Sequence, residues 1–244
     1  MVFKHPGLIV ATLSYIFGGF TLFIFAVFLW AGNLNLIDFG WSGSAALIFN
    51  AGLSLAFFLQ HSIMVRRSFK RHLSRLFPDA YHEAVYSIAS GIFLFIVIIF
   101  WQATAPLWEA QGLTRLFMRL FFILPIVGFF WAVKSLGFFD PFGIQAVFEC
   151  DRHIKHRRTK FVVKGPYRWV RHPLYFFILI MIWSYPDLST DRLFFNFMWS
   201  VWIIIGAHLE ERDLAREFSN VYRNYQKSVP MLFPYKLINT KIWK

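Results

Sequence analysis

Residues 8–30 read LIVATLSYIFGGFTLFIFAVFLW, an apolar run without one charged side chain. At about 1.5 Å per helical residue it reaches across the roughly 30 Å hydrocarbon core of a bilayer. There every backbone N–H and C=O must be satisfied within the segment, so the reading is a membrane-spanning α-helix. Only Lys4 precedes the run and no small-residue cleavage site closes it, so it is expected to remain as an anchor rather than be removed. Residues 44–62, 84–102 and 117–136 repeat the pattern, the last with Pro125 as a candidate kink. Two shorter apolar runs, 173–185 and 193–209, are separated by Pro186-Asp187 and Asp191-Arg192 and are predicted to form a tight hairpin. The expected fold is an all-α integral membrane protein of about six membrane segments, the last two a short helical hairpin.

Composition agrees. Of the 244 residues 57% are hydrophobic and only 16% charged, against roughly 25% charged in soluble domains. A formal net charge of +12 raises nucleic-acid binding as an alternative. The basic residues, however, lie in blocks between apolar runs. The block after the second run, the block after the fourth and the tail hold 20 of the 25 Lys and Arg. Placing these three on the cytoplasmic side puts both termini inside, as the positive-inside rule requires. Topology accounts for the charge, and no nucleic-acid partner is expected. The single cysteine, Cys150, excludes an internal disulfide and a multi-cysteine metal site. His153 and His156 sit in a Lys/Arg-rich loop and are read as solvated, with no metal site expected. No internal repeat or separate soluble domain stands out, so any chemistry belongs in or beside the bilayer.

The most informative stretch is Gly165-Pro166-Tyr167-Arg168-Trp169-Val170-Arg171-His172-Pro173-Leu174-Tyr175. Gly-Pro makes a turn, and Pro173 suits the first turn of the helix it opens. Arg171 and His172 then lie beside a helix N-terminus, where backbone N–H groups and the dipole favour an anion. A guanidinium held there binds a carboxylate; alternatively Arg171 reaches to lipid headgroups. Glu210-Glu211 follows the last apolar run directly. Adjacent carboxylates at a helix's C-terminal end oppose the dipole and anionic lipid alike. They either pair with Arg212 or Arg216, or hold a polar ligand such as ribose hydroxyls or an ammonium group. The hairpin returns this end toward Arg171 and His172, so opposite charges converge at one depth.

In order and spacing, Gly-Pro-Tyr, Arg-His-Pro-x-Tyr, a short hairpin, Glu-Glu and the tail from Tyr222 to Pro234 resemble the cofactor region of the isoprenylcysteine carboxyl methyltransferase and phospholipid methyltransferase superfamily. The resemblance implies a cytoplasm-facing pocket for S-adenosylmethionine, lined by Tyr167, Arg171, His172, Tyr175, Glu210 and Glu211, with S-adenosylhomocysteine as product. One departure is Phe177, where glycine is common in the family. Gln60-His61-Ser62-Ile63-Met64, Phe100-Trp101-Gln102 and Phe139-Asp140-Pro141-Phe142-Gly143-Ile144-Gln145 further resemble segments of the bacterial methanethiol S-methyltransferases. Pro141 stands there in place of a more usual apolar residue.

Gln60, His61 and Gln102 lie at span ends, where polar side chains are costly unless paired or used. They either join helices by hydrogen bonds or serve catalysis. A thiol is a poor nucleophile until ionised, so neutral His61 suits a general base, with Gln60 beside it and Asp140 as an alternative base. The resemblance thus implies methyl transfer to a small thiol, methanethiol to dimethyl sulfide, by a protein of the bacterial inner membrane in contact with lipid. Residues 1–150 would shape the acceptor side and residues 151–244 the cofactor region. A lipidic acceptor (a prenylcysteine carboxylate or a phospholipid amine) and a non-catalytic membrane protein that kept the fold are the alternatives.

Overall fold

The computed structural model describes residues 6–137, 140–152 and 161–236. It is helical nearly throughout. Among the described residues five helical segments are long and apolar enough to cross a membrane: Gly7–Ala31, Gly43–Met64, Asp79–Phe100, Gly112–Ser135 and Thr190–Glu217. The protein is therefore an all-α integral membrane protein. A sixth apolar helix, Pro173–Trp183, has 11 residues. At 1.5 Å per residue it covers about 16 Å, roughly half of a hydrocarbon core. It is the short arm of the expected hairpin.

In chain order the helices are α1 (Pro6–Ser14), α2 (Thr21–Ala31), α3 (Gly43–Met64), α4 (Arg67–Leu73), α5 (His82–Phe100), α6 (Gly112–Ser135), α7 (Ile144–Asp151), α8 (Pro173–Trp183), α9 (Thr190–Glu217) and α10 (Ser219–Ser228). Packing divides the chain differently from the division by role expected at 150/151. One unit comprises Met1–Ala105 and Asp140–Arg158, the other Pro106–Phe139 and Thr159–Lys244.

In the first unit α5 is the central helix, packed against α3 and against the first apolar segment. That first segment carries a π-helical turn, Tyr15–Phe20, which the apolar run alone did not announce. It lies at a close helix crossing. A side chain at Gly91 of α5 would overlap the Phe17 carbonyl, and one at Gly18 would overlap the Ser87 hydroxyl. Membrane helices gain little from burying apolar surface against each other, so small residues that admit close backbone approach hold them together. Gly91→Ala is accordingly expected to cost about 1–3 kcal/mol through overpacking. Gly52→Ala, with nothing within 4 Å of the added methyl, is expected to be neutral. Thermal unfolding of both variants in detergent separates the two outcomes.

Gln102, buried to 1% exposure, ends α5 in a complete hydrogen-bond set. Its side-chain N–H group donates to the Ile37 and Phe100 carbonyls, and its oxygen accepts from the Phe39 N–H. Its backbone exchanges two bonds with Asn50 of α3. Of the two roles open to Gln102, the structure gives it the helix-joining one.

In the second unit α6 packs on α8, α8 on α9, and α9 on α10. Helix α6 runs unbroken through Pro125, which is buried within it. Phe177, the departure noted in the sequence, is buried with its ring against Gly128 of α6, where any side chain would collide with it. The larger residue on one helix is thus matched by a glycine on its neighbour. An antiparallel ribbon, β1 (Pro106–Glu109) with β2 (Asp187–Ser189), closes the far end of the hairpin. Sequence patterning did not anticipate it. The Arg115 guanidinium pairs with Asp187 at 2.5 Å, and Arg192 lies 4.5 Å over the Tyr185 ring, fixing the turn that joins α8 to α9.

Candidate functional site

Helix α9 is 28 residues long, about 42 Å, and so outruns a hydrocarbon core by about 12 Å. Glu210 and Glu211 occupy its last turns. Opposite them the chain enters α8 through a 3-10 turn, Gly165–Arg168. Gly165 has φ +54° and sits where a side chain would strike the Ser135 hydroxyl, so glycine is required on both counts. Pro173 takes the first position of α8, where its missing N–H costs nothing.

The segment before α8 is clamped to the tail. The Arg171 N–H donates to the Pro230 carbonyl at 2.9 Å, and the His172 N–H to the Met231 carbonyl at 3.1 Å. The Arg171 side chain then does two things. Its Nε donates to Glu211 Oε1, and its Nη1 donates to the carbonyls of Gln226 (2.9 Å) and Val229. Those carbonyls close the C-terminal end of α10, where helical carbonyls lack internal partners and a cation is favoured.

Glu211 is the hub. Besides Arg171, its Oε1 faces His172 Nε2 at 3.3 Å and accepts from the Tyr222 hydroxyl at 3.4 Å. Its Oε2 accepts from Gln226 Nε2 at 3.0 Å. Its residue exposure is 8%, and every bond it makes points into the protein. Glu210 differs. Its side chain is 46% exposed, accepts from the Tyr175 hydroxyl at 2.7 Å, and lies 3.7 Å from His172 Nδ1. His172 therefore stands between the two carboxylates, its ring stacked on Tyr175 with centroids 5.5 Å apart.

The half-buried Tyr167 completes the group through its backbone. Its carbonyl accepts from the Tyr225 hydroxyl at 2.5 Å, while its own hydroxyl bonds to no described residue. Burial, and then the Glu210 charge, push its phenol above the ordinary tyrosine range, so it stays a hydrogen-bond donor at neutral pH. Burial and the Glu211 charge do the same to Tyr222.

The structure thus assembles Arg171, His172, Tyr175, Glu210 and Glu211 in one hydrogen-bonded cluster, with Tyr167 at its edge. Glu211 pairs with Arg171 rather than with Arg212 or Arg216; Arg216 reaches Asp213 at 3.4 Å instead. Gln226 and Tyr222 are members that residue-by-residue reading did not single out. Both lie on α10, whose tail matched the superfamily pattern as a whole.

In the first unit Gln60 and His61 sit on the last turns of α3. The Tyr86 hydroxyl of α5 lies 2.6 Å from His61 Nε2 and 3.1 Å from Nδ1. Gln60 Nε2 faces Met64 Sδ at 3.0 Å and Ser90 Oγ at 3.3 Å, and its buried Oε1 has no hydrogen-bond partner among the described residues. Tyr86 and Ser90 were legible only as polar residues four apart in the third apolar run, the spacing that places two side chains on one helix face. Asp140 lies elsewhere in role. Its two oxygens accept from the backbone N–H groups of Ile144, Gln145 and Ala146 at 2.7–3.1 Å, capping α7. His153 and His156 lie outside the described residues. Among the described residues no group of three His, Cys, Asp or Glu is placed to hold a metal ion.

The fold and the acid–base cluster at the end of the apolar hairpin define an integral membrane protein with a charged, hydrogen-bonded group of side chains on its last helices. Comparison with known proteins narrows this. A methanethiol S-methyltransferase of a Pseudomonas species is 33% identical over 196 residues, covering 78% of this chain and 74% of that protein. The protein of the same name from Pseudomonas deceptionensis is 32% identical, covering 80% and 75%, and that from Crocosphaera subtropica 31%, covering 78% and 75%. No family model matches the chain, and no solved structure does. The chain belongs to the methanethiol S-methyltransferase family, and is a membrane methyltransferase that moves a methyl group from a donor to an acceptor.

Proposed function

We propose that this protein transfers the methyl group of S-adenosylmethionine to methanethiol, releasing dimethyl sulfide and S-adenosylhomocysteine. The observation that carries the reading is the 33% identity to a methanethiol S-methyltransferase across 78% of the chain. The donor set around α8 and α9 suits such a zwitterionic donor. Glu210 offers a half-exposed carboxylate to an ammonium group or to ribose hydroxyls, and Tyr167 offers a free phenolic donor. Arg171 and Glu211 bond to each other, to His172 and to α10, so their part is to hold the pocket wall. When bound, S-adenosylmethionine supplies an electrophilic methyl group on a positively charged sulfur.

The remaining work falls to the chain. A thiol must lose its proton to become a strong nucleophile, and His61, held by the Tyr86 hydroxyl, is assigned that proton. Gln60 Oε1, a buried acceptor with a vacant lone pair, is assigned to orient the S–H group. Asp140 is not assigned the proton, since three backbone N–H groups already engage its oxygens. The reading puts the cluster on the cytoplasmic side of a bacterial inner membrane with both termini cytoplasmic, and the distribution of the basic blocks supports that orientation.

The test is headspace gas chromatography on detergent-purified protein given S-adenosylmethionine and methanethiol. Dimethyl sulfide is the expected product. Glu210→Gln is expected to weaken donor binding about 10- to 100-fold, the loss of one or two charge-assisted hydrogen bonds, with melting temperature unchanged. Protein that binds S-adenosylhomocysteine yet forms no dimethyl sulfide would overturn the thiol and direct the search to lipidic acceptors.

A further inference from the structure

Helix α4 and the turn after it make a second charged site that methyl transfer does not use. Met64 ends one membrane helix, Asp79 begins the next, and α3 packs beside α5. The connector between them is therefore held at the membrane face by both of its ends. Within it a cavity of about 530 Å³ is lined by Arg67, Lys70, Arg71, Ser74, Asp79 and His82.

The charges in this cavity are unevenly matched. Lys70 pairs with Glu83 at 2.5 Å, and Asp79 is engaged by the Ser74 hydroxyl at 2.7 Å, with His82 Nε2 3.6 Å away. Arg67 and Arg71 are exposed and pair with no carboxylate among the described residues. They stand four residues apart on α4, on one helix face at about 6 Å spacing. Two guanidinium forks at that spacing suit the tetrahedral oxygens of a phosphate group. Around them Val65, Leu76 and Phe77 are 42%, 76% and 41% exposed. Apolar side chains beside unpaired cations, at the end of two spans, match the boundary between headgroups and acyl chains.

We propose that Arg67 and Arg71 clamp the phosphate of an anionic glycerophospholipid, whose acyl chains lie against Val65, Leu76 and Phe77. The site is independent of the methyl-transfer reading. It gives the α3–α5 end of the first unit a fixed lipid ligand rather than diffuse attraction to the leaflet.

The experiment uses the full-length protein, delipidated in detergent and titrated with phosphatidylglycerol or phosphatidylcholine, with bound lipid counted by native mass spectrometry. Wild type is expected to bind phosphatidylglycerol in preference. Arg67→Ala/Arg71→Ala is expected to weaken that binding about thirtyfold while phosphatidylcholine binding is unchanged. Arg67→Lys/Arg71→Lys keeps the charge without the forks and should recover only part of the affinity. Arg152→Ala removes an exposed cation outside the cavity and should change nothing. Equal phosphatidylglycerol affinity in wild type and the lysine variant overturns the clamp, even if the alanine variant fails to fold. An equal loss in Arg152→Ala overturns it in favour of non-specific attraction. Displacement of the lipid by an excess of inorganic phosphate overturns the lipid as occupant.

Discussion

Glu211→Ala is expected to cost about 3–5 kcal/mol of stability, the range for breaking a buried ion pair by removing one partner. The substitution leaves the Arg171 guanidinium, 10% exposed at the side chain, facing an empty hub. It also strips an acceptor from Tyr222 and from Gln226 Nε2, so α10 loses its hold on α9. Thermal unfolding in detergent measures the loss, and limited proteolysis should show cleavage appearing between α9 and α10. The decisive comparison is a double-mutant cycle. Arg171→Ala/Glu211→Ala leaves no unpaired buried charge and should be more stable than the sum of the single losses implies, with a coupling of about 1–3 kcal/mol. Additive losses would refute the pair as a structural tie. Both single variants should also lose donor binding, because the pocket wall goes with the tail. Glu210→Gln, on the exposed carboxylate, separates the two effects by sparing stability.

His61→Ala is expected to lower turnover about 10²- to 10⁴-fold, the usual contribution of a positioned general base, while leaving S-adenosylhomocysteine affinity within a factor of two. His61 lies on α3, held by the Tyr86 hydroxyl, whereas the donor cluster is built on α8 and α9. Tyr86→Phe removes the hydroxyl that holds the ring and should give a smaller loss, about tenfold, felt in turnover more than in KM. The proton-transfer assignment makes one further demand. With an acceptor supplied as pre-formed thiolate at high pH, much of the His61→Ala loss should be recovered. A deficit that persists at every pH would make His61 a packing residue instead.

The pairing of Arg171 with Glu211 also shows how far local reading of the cluster reached. Sequence order brought Arg171-His172 and Glu210-Glu211 to the same depth through the hairpin, because two apolar runs joined by a short polar turn can only fold back. Adjacent glutamates look equivalent in a sequence. On a helix, successive residues point about 100° apart, so one faced the tail and became buried while the other faced outward. Asp140 shows the opposite case. A lone acidic residue before Pro-Phe-Gly reads as a candidate base, and only the start of α7 three residues after Pro141 revealed a cap.

From sequence alone came the membrane, the helices, the hairpin and the family, because uncharged runs and basic blocks are local properties that a bilayer sorts directly. The tertiary structure alone decided which carboxylate is buried, that Phe177 faces Gly128, that Gly91 and Gly18 mark a close helix crossing with a π-turn, and that Tyr86 holds His61. These depend on helix rotation and on contacts between residues far apart in the chain. Spacing along one helix constrains such contacts only to a face, and the partner on that face is set by packing.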